Sequence, residues 1–127
     1  MRRALVLGLA LLLASKAQAQ QAADSDAWFG HDKALHFGAS ASIAVVTYAG
    51  ASFKTEHRPT RVAAAFCVAL GAGILKEGWD LAGHGDASWR DLTWDVVGTT
   101  TGVLVAYAID WALSRLRGPA PVAEPGR

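Results

Sequence analysis

The chain has one cysteine, Cys67, in the middle of an apolar run. A single cysteine excludes an intramolecular disulfide and any CxxC redox or zinc motif. Its expected place is that of a small buried hydrophobe. Charge is also scarce: 18% of the residues are charged, the net charge is +1, and no basic stripe with interleaved aromatics appears. That balance excludes nucleic acid as a partner. Three long stretches, 37–53, 62–75 and 96–109, carry no charge at all. Strand-like alternation and internal repeats are absent too, which leaves helices as the building material.

What is present is apolar and small. Hydrophobic residues make up 52% of the 127 positions, enough for one small domain. The uncharged runs are rich in Gly, Ala, Ser and Thr, a composition suited to close approach between helix backbones. At the N-terminus, Arg2 and Arg3 precede the apolar run 4–14, and "AQA" follows at 17–19. This pattern predicts a signal peptide over 1–19, cut after Ala19, with an uncleaved anchor as the alternative. No cysteine follows the cut, so the sequence offers no lipid attachment there. A polar linker over 20–30, a helical bundle domain over 31–117 and a disordered Pro-rich tail over 118–127 complete the expected organisation.

The expected fold class is all-α: a small bundle of three mature helices, membrane-embedded, preceded by the signal peptide. The first helix begins near Asp32, an acid suited to a helix start. The second is expected from Arg61 to Leu81, after a charged turn containing Pro59. A Gly-rich loop, "AGHGDAS", follows. The third is expected from Trp89 to Arg117, with Ser88 as N-cap and Asp91 three residues on. The uncharged runs of 14 to 17 residues fall short of a usual span of about 20. Against that, the runs are apolar on every face. Trp28, Phe29, Trp79, Trp89 and Trp94 gather at one end and Tyr107 and Trp111 at the other, as in interfacial belts. Lys54, Arg58, Arg61, Arg115 and Arg117 mark the second end as cytoplasmic by the positive-inside rule, and the first as periplasmic. The expected location is the inner membrane of a bacterial envelope, with membrane lipid as a partner and a homo-oligomer or envelope protein as another. A soluble or peripheral periplasmic bundle is the alternative.

That topology brings ionisable groups from three helices to one end. Asp32, Lys33 and His36 come from the first; Lys76, Glu77 and Asp80 from the second; Asp91 and Asp95 from the third. Asp32 and His36, like Asp91 and Asp95, are four residues apart, and Glu77 and Asp80 are three apart, so each pair shares a face. Gly98 and Gly102 continue the Asp91–Asp95 face, and Gly73 lies one turn before Glu77, which turns these faces toward neighbouring helices. Five carboxylates outnumber Lys33, Lys76, Arg90 and a titratable His36. The excess suits one divalent cation, a shared proton or exposure to water. His36, Glu77, Asp80, Asp91 and Asp95 are the candidate metal ligands; with Asp32, Lys33, Lys76 and Ser88 they are the candidate catalytic residues. A Lys33–Asp80 ion pair is a specific expectation. Plainer roles stand beside these: Asp91 as a first-turn acid, Lys76 and Glu77 snorkelling to the headgroups, and His36 as a packing residue. His84 and Asp86 are expected to be solvated in the Gly-rich loop.

The stretches "DKALHF", "GILKEGWD" and "SWRDLTWDVVG" together resemble the YfiM-like family of bacterial envelope proteins, often of lipoprotein type, over residues 30–110. More distantly, the same order is similar to VanZ-like membrane proteins, which usually carry Asn where Asp95 stands. The resemblance implies a helical envelope protein and assigns no reaction. The lipoprotein cysteine of the first family is missing here, leaving anchoring to the helices. Two functions follow for the cluster: a structural or binding role, or a small membrane-embedded metal-dependent or acid/base hydrolase acting on a lipid-linked or phosphate-bearing envelope substrate. A proton pathway is disfavoured, because no ionisable residue interrupts the third helix between Asp95 and Asp110.

Overall fold

The computed structural model describes residues 27–118. The signal segment, residues 20–26 of the linker, and the tail beyond Gly118 lie outside the described residues. The described chain is all-helical. Helix α1 covers His31–Ser52, α2 covers Arg58–Trp79, a π-helical turn covers Asp80–His84, and α3 covers Trp89–Leu116. The three helices run up, down and up, and α1 packs most extensively on α3.

The second helix begins earlier than the sequence reading places it. Pro59 sits in the first turn of α2, where its fixed φ fits and its missing N–H costs nothing, so it starts the helix rather than delaying it. The Gly-rich segment is likewise more helical than expected. It continues α2 through the π-helical turn until Gly83, whose φ of 96° reverses the chain in a region that favours glycine.

All three helices are long and apolar enough to cross a membrane: 22 residues for His31–Ser52, 27 for Arg58–His84 and 28 for Trp89–Leu116. At 1.5 Å per residue even the shortest is about 33 Å long, matching a hydrocarbon core of about 30 Å. The short uncharged runs understated these lengths because the charged residues lie within the helices, in their end turns.

The core is built from small side chains. Ala44, Tyr48, Ala65, Ala69, Val103 and Ala106 form its apolar cluster. On α2 the buried residues recur every four positions, Arg61, Ala65, Ala69, Gly73 and Glu77. On α3, Gly98 and Gly102 let α1 approach so closely that an added Cβ would strike the backbone of Phe37 and of Ala41. The large apolar residues face outward instead: Val46, Leu75, Leu104 and Leu116 are each at least 63% exposed. Cys67 is exposed as well, not buried as expected; Ala65 and Ala69 take the inward face of its turn. The exposed hydroxyls of Thr93, Thr100 and Thr101 each return to a carbonyl of their own helix, at 2.9, 2.8 and 2.8 Å. Large apolar groups outside, small groups inside and internally satisfied hydroxyls form the surface a hydrocarbon solvent selects.

Candidate functional site

The polar cluster is assembled at one end of the bundle from all three helices. Lys33, on the first turn of α1, is 1% exposed. Its ammonium donates to Asp91 Oδ1 on α3 and, at 3.3 Å, to Asp32 Oδ2 on its own helix. The expected Lys33–Asp80 pair is therefore not formed. Asp80 pairs at 2.9 Å with Lys76, one turn earlier on the same face. Lys33 instead meets the first turn of α3, which packs directly against α1.

His36 lies one turn below Asp32 and stands between two carboxylates. Its Nδ1 is 3.2 Å from Asp95 and its Nε2 is 3.6 Å from Asp91 Oδ2. The direction of this hydrogen bond follows the imidazole tautomer: with its proton on Nδ1, His36 donates to Asp95. Ser40, one turn deeper, donates to Asp95 Oδ1 at 2.6 Å. Asp95 is 2% exposed. It fits because α2 carries glycine opposite it: a Cβ at Gly73 would lie 2.6 Å from Asp95 Oδ2.

The α2 members gather on Lys76. Its ammonium lies 2.9 Å from Glu77 Oε1, 2.9 Å from Asp80 Oδ2 and 3.7 Å from Asp91 Oδ2. Glu77 is buried, whereas Lys76 keeps 44% of its side chain exposed, so only Lys76 follows the snorkelling pattern. The other oxygen of Glu77 accepts the backbone N–H of Ser88 at 2.7 Å. Ser88 does stand at the N-cap of α3, but its hydroxyl makes no cap hydrogen bond there. Its Oγ is buried without a partner among the described residues. A carboxylate from α2 thus satisfies the backbone at the start of α3. Asp91 is likewise more than a first-turn acid; it is 3% exposed and is the meeting point of Lys33, His36 and Lys76.

Among the described residues, the grouping whose ligand atoms all lie within 4.8 Å of one another is Asp32, His36 and Asp91. Two of the five expected metal ligands, His36 and Asp91, are in it. Glu77 and Asp80 lie on the Lys76 side, and Asp95 lies on the Ser40 side of the imidazole. The ammonium of Lys33 already bridges Asp32 and Asp91. A cleft of about 300 Å³ opens beside the cluster between α1 and α2. Its polar wall is Asp32, His36, Ser40, Lys76 and Asp95, and its apolar wall includes Leu35 and Ile43.

Aromatic residues cover this end. Trp94 donates to the carbonyl of Trp28 at 2.8 Å, fastening the segment before α1 onto α3. Arg90 lies over the rings of Trp28 and Trp89, at 5.5 and 5.7 Å. His84 is not simply solvated, because it stacks on Trp79 with ring centroids 4.0 Å apart.

A second network at the opposite end went unread in the sequence. Asp110 accepts from Arg58 Nε at 2.7 Å, from Arg61 Nη1 at 3.1 Å and from Tyr48 Oη at 3.2 Å. The signal was present: Arg61 begins the four-residue stripe that ends at Glu77. In comparisons with known proteins, no family model, no curated protein and no solved structure matches the chain.

Proposed function

We propose that the protein is a bacterial cell-envelope membrane protein with a structural and binding role. Its three helices span the inner membrane, and the cluster of Lys33, His36, Lys76, Glu77, Asp91 and Asp95 faces the periplasm. There it ties the helix ends together and presents a polar-ended cleft to a ligand. The observation that carries this reading is the placement of Lys33. A fully buried ammonium bridging carboxylates of α1 and α3 makes the cluster compensate itself across helices. The lateral position of the cleft suits a polar headgroup whose tail stays among lipid chains. The test is the pattern of damage. Under this reading Lys33→Ala, Asp91→Ala and Glu77→Gln lower stability together with any cluster-dependent phenotype. Full loss of the phenotype in Glu77→Gln at unchanged stability and abundance contradicts it.

A second reading, a small membrane hydrolase of lipid-linked or phosphate-bearing substrates, is favoured by one feature. His36 has a carboxylate beside each ring nitrogen and borders the cleft, an arrangement suited to acid/base work. Release of phosphate from a lipid phosphate by the purified protein, lost in His36→Gln, would select it.

A further inference from the structure

A groove of about 550 Å³ lies at the end of the bundle opposite the cluster. It is bounded by the last turns of α1 and α3 and the first turn of α2. We propose that this groove binds the phosphate headgroup of an anionic phospholipid. The proposal rests on the membrane-spanning reading and concerns a different site.

Asp110 organises the groove by holding two guanidinium groups in place. Arg61 is locked. Its side chain is 5% exposed, and it donates to Asp110, to the Thr55 carbonyl at 2.8 Å and to Glu56 at 3.4 Å. Arg58 is held differently. Among the described residues it hydrogen-bonds through Nε alone, and 32% of its side chain is exposed. Its terminal nitrogens remain for a second anion, in the planar fork geometry that suits phosphate oxygens. Arg117 also lines the groove, is exposed, and forms no ion pair among the described residues. Three guanidinium groups thus face the two carboxylates of Glu56 and Asp110, leaving a positive surplus.

The rest of the wall identifies the ligand as a lipid. Val45, Ala106 and Ile109 continue the groove toward the middle of the helices, where an acyl chain would lie. At this same end Arg58 lies over the ring of Tyr107 at 5.9 Å and Arg115 over that of Trp111 at 5.0 Å. Aromatic rings with cations beside them mark the headgroup level of a bilayer, the depth of a lipid phosphate. Basic pockets between spanning helices are recognised sites for anionic headgroups.

The full chain, purified in a mild non-ionic detergent, is titrated with dioleoylphosphatidylglycerol, dioleoylphosphatidylcholine or soluble glycerol phosphate, and adducts are read by native mass spectrometry. The expected result is preferential retention of phosphatidylglycerol, weakened about fivefold in Arg117→Gln and in Arg58→Gln. Arg117→Gln keeps the test readable if Arg58→Gln disturbs the fold through Asp110. Equal retention of the two lipids, competition by glycerol phosphate at lipid concentrations, or an unchanged Arg117→Gln overturns the proposal. Alkaline carbonate extraction of native membranes separates the two readings. Release of the chain overturns both, whereas retention without lipid preference overturns only this one.

Discussion

Lys33 and Asp91 lie 58 positions apart in sequence and form an ion pair with side chains 1% and 4% exposed. Each would be a costly buried charge alone, and each makes the other tolerable. The pair joins the first turns of α1 and α3, the two helices that pack most closely.

Close approach between the long helices depends on Gly73, Gly98 and Gly102. Gly73→Ala places a methyl against the Asp95 carboxylate, and Gly98→Ala places one against the Phe37 backbone. Each is expected to cost about 1–3 kcal/mol, read by unfolding in mixed micelles. Gly71 has open space around it. Gly71→Ala is therefore expected to be neutral or mildly stabilising, by up to about 1 kcal/mol. Equal damage at Gly71 and Gly98 would contradict the packing described.

The start of α3 is secured by Glu77, not by its own N-cap side chain. Ser88→Ala is expected to leave stability within about 0.5 kcal/mol of the parent, because its hydroxyl makes no cap bond. Glu77→Ala orphans the Ser88 N–H and removes one of the carboxylates around the Lys76 ammonium and is expected to cost about 1–3 kcal/mol. Thermal melts of the two variants in one detergent compare them; a larger loss in Ser88→Ala would restore the ordinary capping role.

Cys67 reports on the surroundings of α2. It is exposed and lies near the middle of the long helix Arg58–His84. In hydrocarbon its thiol meets no water-soluble reagent. Labelling by a charged maleimide is expected to be negligible in intact membranes and to appear after denaturation. Rapid labelling in the folded state would favour a water-exposed bundle.

The helices were legible because their apolar runs leave no other choice, and the convergence at the polar end followed from three helices joined by short turns. Side-chain pairing was less legible. Spacing places Lys33 and Asp80 at the same end, but only helix rotation decides that Lys33 turns to Asp91 while Asp80 stays with Lys76. Pro59 was misread because a proline punctuates a helix start as readily as an end. Cys67 was misplaced because runs that are apolar on every face carry no stripe to mark the inward side. The Asp110 network escaped notice because Arg58 and Arg61 were already accounted for as markers of orientation.

The most direct test of the cluster as a cross-helix clasp is a double-mutant cycle on Lys33→Met and Asp91→Leu, measured by reversible unfolding in mixed micelles. Each single change is expected to cost about 3–5 kcal/mol, since it removes the nearest partner of a buried charge. The double variant is expected to recover much of that loss, giving a coupling of at least about 2 kcal/mol. Additive losses, to within about 0.5 kcal/mol, would mean that the two residues do not hold the helix ends together.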